Sequence, residues 1–158
     1  MGHFYFVRHG QTIWNVEGKI CGATDITLTQ LGHEQAIETG KKILEEKIHA
    51  DEILYSPLMR AADTAKHISG ITGIPAREEL RLKEQNFGIW ESTPRGGEDF
   101  KKAKQSFACS YEGGESMLRL AQRIYNLLDE IKDKSDEKTY ILVATMALPE
   151  WCSPISMT

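Results

Sequence analysis

Arg8 and His9 are the two residues of this chain whose pairing most directly suggests chemistry. A permanent cation can grip a phosphoryl group through paired N–H donors while an imidazole nitrogen attacks phosphorus, so the pair suits phosphoryl transfer through a phosphohistidine. The apolar run Phe4, Tyr5, Phe6 and Val7 leads straight into Arg8-His9-Gly10-Gln11-Thr12. An apolar strand ending in polar residues and a glycine is how an α/β sheet presents a catalytic loop, because ligands bind beyond the carboxyl ends of its strands. On Arg8-His9-Gly10 alone, a surface strand end with two polar residues is the better reading.

The elements that must position this pair follow as alternating strands and helices. Thr29 is placed to cap a helix with Ala36, Gly40, Ile43 and Leu44 on one face, ending near Lys47. Glu52-Ile53-Leu54-Tyr55 reads as a second strand. Ser56 can cap the next helix with Pro57 in its first turn, which carries Arg60 toward the same crevice as Arg8. Ile74-Pro75-Ala76 begins a connection toward Leu80 and Leu82, and Gly96-Gly97 with the lysines after it suggests a mobile excursion over the site. Ser116 is a candidate cap for a helix through about Lys132, with Leu120, Ile124, Leu127, Leu128 and Ile131 facing the core. Residues 139–144 form the last strand. The alternation implies an α/β fold with a mostly parallel sheet and helices on both faces.

Composition narrows the class. The chain has 158 residues and 41% hydrophobic content, enough for one domain. The three cysteines, Cys21, Cys109 and Cys152, show neither close pairing nor metal-ligand spacing, so they read as reduced thiols in a cytoplasmic protein. No apolar stretch approaches the ~20 residues of a membrane span. The net charge of −4 and the lack of a basic stripe argue against nucleic acid, and Lys101, Lys102 and Lys104 read as a solvated helix face. No metal cluster is visible among the five histidines.

The wider segment changes the weighing of Arg8-His9-Gly10. Trp14-Asn15, Gly22-Ala23-Thr24-Asp25-Ile26-Thr27-Leu28, Leu31-Gly32-His33-Glu34-Gln35-Ala36, Ser56-Pro57-Leu58-Met59-Arg60-Ala61, residues 84–91 (EQNFGIWE) and Gly113-Gly114-Glu115-Ser116 follow in order. Together they resemble the histidine phosphatase superfamily, the phosphoglycerate-mutase-like proteins, from about residue 3 to residue 144. The resemblance implies a three-layer α/β/α fold. It implies His9 as nucleophile, Arg8 and Arg60 as phosphate grips, and Glu84 as proton donor to a leaving group that is otherwise a poor alkoxide. Taken alone, Glu84 reads as an exposed loop glutamate. Asn15, Cys21, Gly22 and Phe87 match positions that contact substrate in relatives, although Asn15 could also shape a turn and Phe87 could be core. Glu91, Glu98 and Glu115 stay outside the site, and His3, His33, His49 and His67 are expected to cap, pack or face solvent. No metal or other cofactor is expected, because the arginines supply the charge that Mg²⁺ supplies in many kinases. The expected partner is a small phosphorylated metabolite.

The resemblance fails after Val143-Ala144. A relative would continue with its second active-site histidine, a glycine and an apolar helix; this chain continues Thr145-Met146-Ala147-Leu148-Pro149-Glu150. Pro149 and Pro154 break any helix there. The expected organisation is therefore an incomplete histidine phosphatase-like domain over 1–144, lacking the family's C-terminal elements, and an aberrant tail over 145–158. A reading-frame shift near codon 144 accounts for the tail. Read one base earlier, the codons for Ala144 to Cys152 permit His-x-Gly-Ile-Ala-Arg-Val-Val, the missing motif, and the same shift would leave the chain truncated. Three functions are then expected in order: a phosphomonoester hydrolase acting through phospho-His9 and impaired by the missing histidine, a phosphoglycerate mutase, and an inactive phosphate-binding module. Sheet surface left uncovered by the missing elements would favour a homodimer.

Overall fold

A computed structural model describes residues 4–134 and 138–145. Four strands, β1 (Phe4–Arg8), β2 (Glu52–Tyr55), β3 (Ala76–Glu78) and β4 (Tyr140–Ala144), form one sheet in the order β1-β4-β2-β3. Every pairing is parallel. The helices are α1 (Ile13–Val16), α2 (Gln30–Glu45), α3 (Met59–Thr72), α4 (Glu98–Ala103) and α5 (Met117–Lys134). His3 and the tail from Met146 onward, Cys152 included, lie outside the described residues.

Strand alternation divides the core into two layers, since successive side chains leave a strand on opposite faces. Val7, Ile53, Ile141 and Val143 meet Ile43 of α2 and Ala61, Ala65 and Ile68 of α3 on one face. Phe6, Leu54, Tyr140 and Leu142 meet Leu120, Ile124, Leu127 and Ile131 of α5 on the other. This is the expected three-layer α/β/α arrangement. Connections β1 to β2 and β2 to β3 run one way along the sheet, whereas β3 to β4 returns. Parallel crossovers keep one hand, so the reversal puts α5 opposite α2 and α3. Small residues set the spacing of the α2–α3 layer: a Cβ on Gly40 would lie 2.9 Å from Ile71 Cδ1.

Helix ends match the sequence in part. Thr29 caps α2, its Oγ1 accepting from Gly32 N–H at 3.1 Å. The helix stops at Glu45 because Lys47 adopts a left-handed φ of 54° and Ile48 N–H turns back to Ile43 O. Ser116 holds the start of α5 by accepting from Arg119 N–H. Ser56 does not cap α3. That helix begins at Met59, after Pro57, and Met59 N–H is taken by Asp25 Oδ1 at 2.7 Å. Leu44 is exposed rather than on the core face, and Ala76–Glu78 is a short edge strand where a plain connection was expected. The excursion between Glu84 and Gly113 contains α4, which buries Phe100. Among the described residues, no helix is long and apolar enough to cross a membrane.

Candidate active site

The sheet register brings the carboxyl ends of β1 and β4 together, with Arg8 opposite Ala144, and His9 N–H donates to Ala144 O at 3.3 Å. Two helices then seat the loop that follows β1. Gly10 N–H donates to Thr64 Oγ1 on α3 at 3.3 Å, and Gln11 N–H donates to Gln35 Oε1 on α2 at 2.9 Å. The loop lies on the first turn of α2 so closely that a Cβ on Gly10 would stand 2.2 Å from Gly32 O. Glycine is required at both positions, because a Cβ on Gly32 would stand 2.2 Å from Gln11 O.

His9 is thereby fixed in one tautomer. Its Nδ1 donates to Gly10 O at 2.6 Å, which leaves Nε2 as the ring's lone-pair nitrogen. Burial pushes the imidazole down to about 3; the Gly10 carbonyl opposes this, and the Arg60, Arg8 and Arg95 charges add to it. A neutral imidazole with a free Nε2 is the nucleophilic form.

Arg8, His9, Asn15, Cys21, Glu84 and Phe87 line one cavity of about 380 Å³. Asn15 also forms a capping box with Thr12, so it shapes the turn as well as facing the cavity. Burial raises the Cys21 thiol, which keeps it protonated. Arg60 and Gly22 do not line this wall. Arg60 is fully buried, donates through Nη2 to Gly22 O at 2.7 Å and through Nη1 to Thr24 O at 3.0 Å, and holds Nε without a partner. Its charge still acts on His9, Cys21 and Glu84.

Burial also raises Glu84, against the pull of Gln85 N–H and of the Arg60, Arg123 and Arg8 charges. A carboxyl held toward its protonated form is suited to donate a proton. The Glu84 loop is tied to α5: Arg123 donates to Arg81 O at 2.6 Å and Glu84 O at 3.1 Å while pairing with Glu115. Glu115 N–H in turn donates to Asn86 O at 2.7 Å. Glu91 organises the opposite side by accepting from Ala23 N–H, Thr24 N–H, the Thr24 hydroxyl and Phe87 N–H. Glu91 and Glu115 thus shape the site without facing its cavity.

The wall also carries Arg95, Lys104 and Thr145, which were not expected at the site, together with Ile20, Gln85, Phe100, Met117 and Leu120, so Lys104 is not simply part of a solvated helix face. Arg95 also donates through Nε to Lys19 O at 2.8 Å, which ties the excursion to the loop after α1. Nothing in their spacing singles them out, since only the path of the excursion and the end of β4 bring them to His9. Among the other histidines, His33 and His67 pair across α2 and α3 with nitrogens 2.9 Å apart.

Comparison with known proteins bears on this geometry. A Chelativorans sp. protein, 2,3-bisphosphoglycerate-dependent phosphoglycerate mutase, is 31% identical over 134 residues, covering 78% of this chain and 65% of its own length. The chain spans 60–65% of the length of the curated relatives it matches first. The structure of a mycobacterial glucosyl-3-phosphoglycerate phosphatase aligns with TM-score 0.76 and 27% identity over 88% of this chain and 71% of that one. Phosphoglycerate mutase from Thermus thermophilus aligns with TM-score 0.71 and 28% identity over 89% and 76%. The profile of the Histidine phosphatase superfamily (branch 1) matches residues 4–148, and with this fold and this match the chain belongs to that superfamily.

Proposed function

We propose that this site hydrolyses a phosphomonoester through phosphorylation of His9. Nε2 attacks phosphorus, the N–P bond forms as the P–O bond to the leaving group breaks, and Glu84 gives its proton to the departing alkoxide. The Glu84 carboxylate then takes a proton from water, whose oxygen attacks phosphorus and releases phosphate and free His9. Arg8 grips the phosphoryl oxygens, and buried Arg60 adds charge from behind the Gly22–Thr24 loop. One observation carries this reading: a neutral His9 with a free Nε2 shares a cavity with a cation and a carboxyl of raised pKa. The further cations Arg95 and Lys104 on that wall favour a substrate whose small leaving group carries an anionic charge of its own, such as the hydroxy acid released from a phosphorylated hydroxy acid.

A mutase is the second reading, favoured by the phosphoglycerate mutases among the relatives. It would return the phosphoryl group to a second hydroxyl instead of to water. We further propose that the missing second histidine slows either reaction by about 10²–10³, as loss of one donor to a developing oxyanion does. The tail beyond 144 is proposed to reflect a shifted frame, which sequencing of the coding DNA from codon 138 onward tests directly. Incubation with p-nitrophenyl phosphate or 3-phosphoglycerate, followed by an alkaline quench, should trap phosphohistidine in wild type and not in His9→Ala. Production of 2-phosphoglycerate would decide for the mutase. Phosphate binding without any phosphohistidine would overturn both and leave a binding module.

A further inference from the structure

Thr145 follows the last residue of β4 and is 3% exposed, yet its hydroxyl has no hydrogen-bond partner. Other buried threonines behave differently: Thr39 and Thr64 donate to Gln35 O and Arg60 O, both at 2.7 Å, and Thr12 donates to Asn15 Oδ1 at 2.9 Å. Buried hydroxyls are nearly always partnered, so an orphan on a cavity wall points to a ligand that completes it. The place of Thr145 says which ligand. Arg8 pairs with Ala144, so His9 and Thr145 leave adjacent strands side by side, and both face the same cavity. That wall also carries Arg8, Arg95 and Lys104, a set that selects an anion. The other buried side-chain orphan among the described residues is Arg60 Nε, also a donor, whose charge acts on His9.

We propose that Thr145 Oγ1 is a ligand of the transferred phosphoryl group, donating one hydrogen bond to a phosphoryl oxygen beside His9. The inference rests on reading the cavity as a phosphoryl site and goes beyond it by assigning a residue where the family's second histidine was expected. A hydroxyl adds a donor without adding charge. The site can therefore hold the anion at this corner while lacking a second imidazole.

Calorimetric titration of the full chain with orthovanadate and with inorganic phosphate tests this. Thr145→Val removes the hydroxyl at nearly constant shape and should weaken both anions by about ten-fold or more, the scale of a hydrogen bond to a charged group. Thr145→Ser should bind within about three-fold of wild type, because the donor is kept. A purely structural threonine would lower the melting temperature of the ligand-free chain when replaced by valine. Loss of an orphan hydroxyl should instead leave that temperature unchanged or raise it. Thr145→Ala, measured alongside, should lose affinity equally if valine perturbs folding. Valine and alanine variants that bind like wild type, while Arg8→Met does not, would overturn the assignment of Thr145 and leave the phosphate site standing. Failure of wild type to bind either anion would overturn both.

Discussion

His9 should make this protein acid-sensitive, and the size of the effect follows from its surroundings. The folded imidazole titrates at about 3 against an ordinary 6.5, chiefly because it is buried. Below 6.5 the unfolded chain gains a proton that the folded chain refuses, so the stability contribution is present above 6.5 and is lost as pH falls toward 3. At ~1.4 kcal/mol per unit, the loss reaches ~2 kcal/mol by pH ~5 and at most ~5 kcal/mol near pH ~3. Against a typical total of ~5–15 kcal/mol, this is large. Urea unfolding at pH ~7.5 and ~5, for wild type and His9→Asn, isolates the His9 contribution by difference from the other titrating groups. Asparagine can still donate to Gly10 O, which preserves the loop's seat. Wild type should lose ~2 kcal/mol more than the variant. Saturating phosphate should shrink that difference, because an anion beside the imidazole favours its protonated form. Equal losses in the two proteins, or an NMR titration of the His9 ring near 6.5, would refute the reasoning.

Three further outcomes follow from the same geometry. Glu84→Gln removes the proposed proton donor and should slow hydrolysis of alkyl phosphomonoesters by ~10²–10⁴, with a much smaller effect on p-nitrophenyl phosphate; equal effects on both would remove Glu84 from the acid role. In wild type the rate should fall as pH rises through the raised Glu84 pKa, and this alkaline limb should vanish in the variant. Gly10→Ala puts a Cβ 2.2 Å from Gly32 O, backbone that flexible side chains cannot yield for, and should cost at least ~1–3 kcal/mol in urea unfolding. Arg95→Met should weaken phosphate or substrate binding and flatten its dependence on salt, read from titrations at low and high ionic strength.

The legible parts of this molecule are those in which local sequence decides structure. Phe4 to Val7 alternate between the two core layers, Thr29 accepts from the first turn of its own helix, and Ser116 does the same for α5. Ordered motif blocks identified His9, Arg8 and Glu84, which do share a cavity. What escaped depends on contacts between distant residues. Asp25 caps a helix that begins 34 positions later, which is why Ser56 and Pro57 misled. Glu91 bonds residues 67 and 68 positions away, and neither its type nor its spacing shows that its carboxylate is spent on backbone donors. Arg95 and Lys104 reach the cavity only through the folding of an excursion that has little periodicity of its own. Arg60 shows the intermediate case: helix phase placed it at the right end of the sheet, yet its guanidinium lies behind the Gly22–Thr24 loop, bonded to that loop's carbonyls.

Charge ties these pieces together. The chain carries a net −4, but the cavity gathers Arg8, Arg95 and Lys104 with Arg60 behind them, and its carboxyl Glu84 is displaced toward the neutral form. Such a field favours an anion, in the proposed reaction a phosphate dianion, at a site in a protein that is acidic overall. It also keeps protons off the His9 imidazole, the nucleophile of the proposed reaction. The two effects differ in how much they depend on each cation. Burial is the leading cause of the low His9 pKa, so losing a single rim cation leaves the nucleophile neutral at physiological pH. Anion attraction has no such reserve, because it comes from the cations on the cavity wall and behind it. In the proposed reaction, substitution at Arg95 or Lys104 therefore retunes which leaving groups enter without disabling the attack by His9, whereas a change that admits water around His9 alters the imidazole directly.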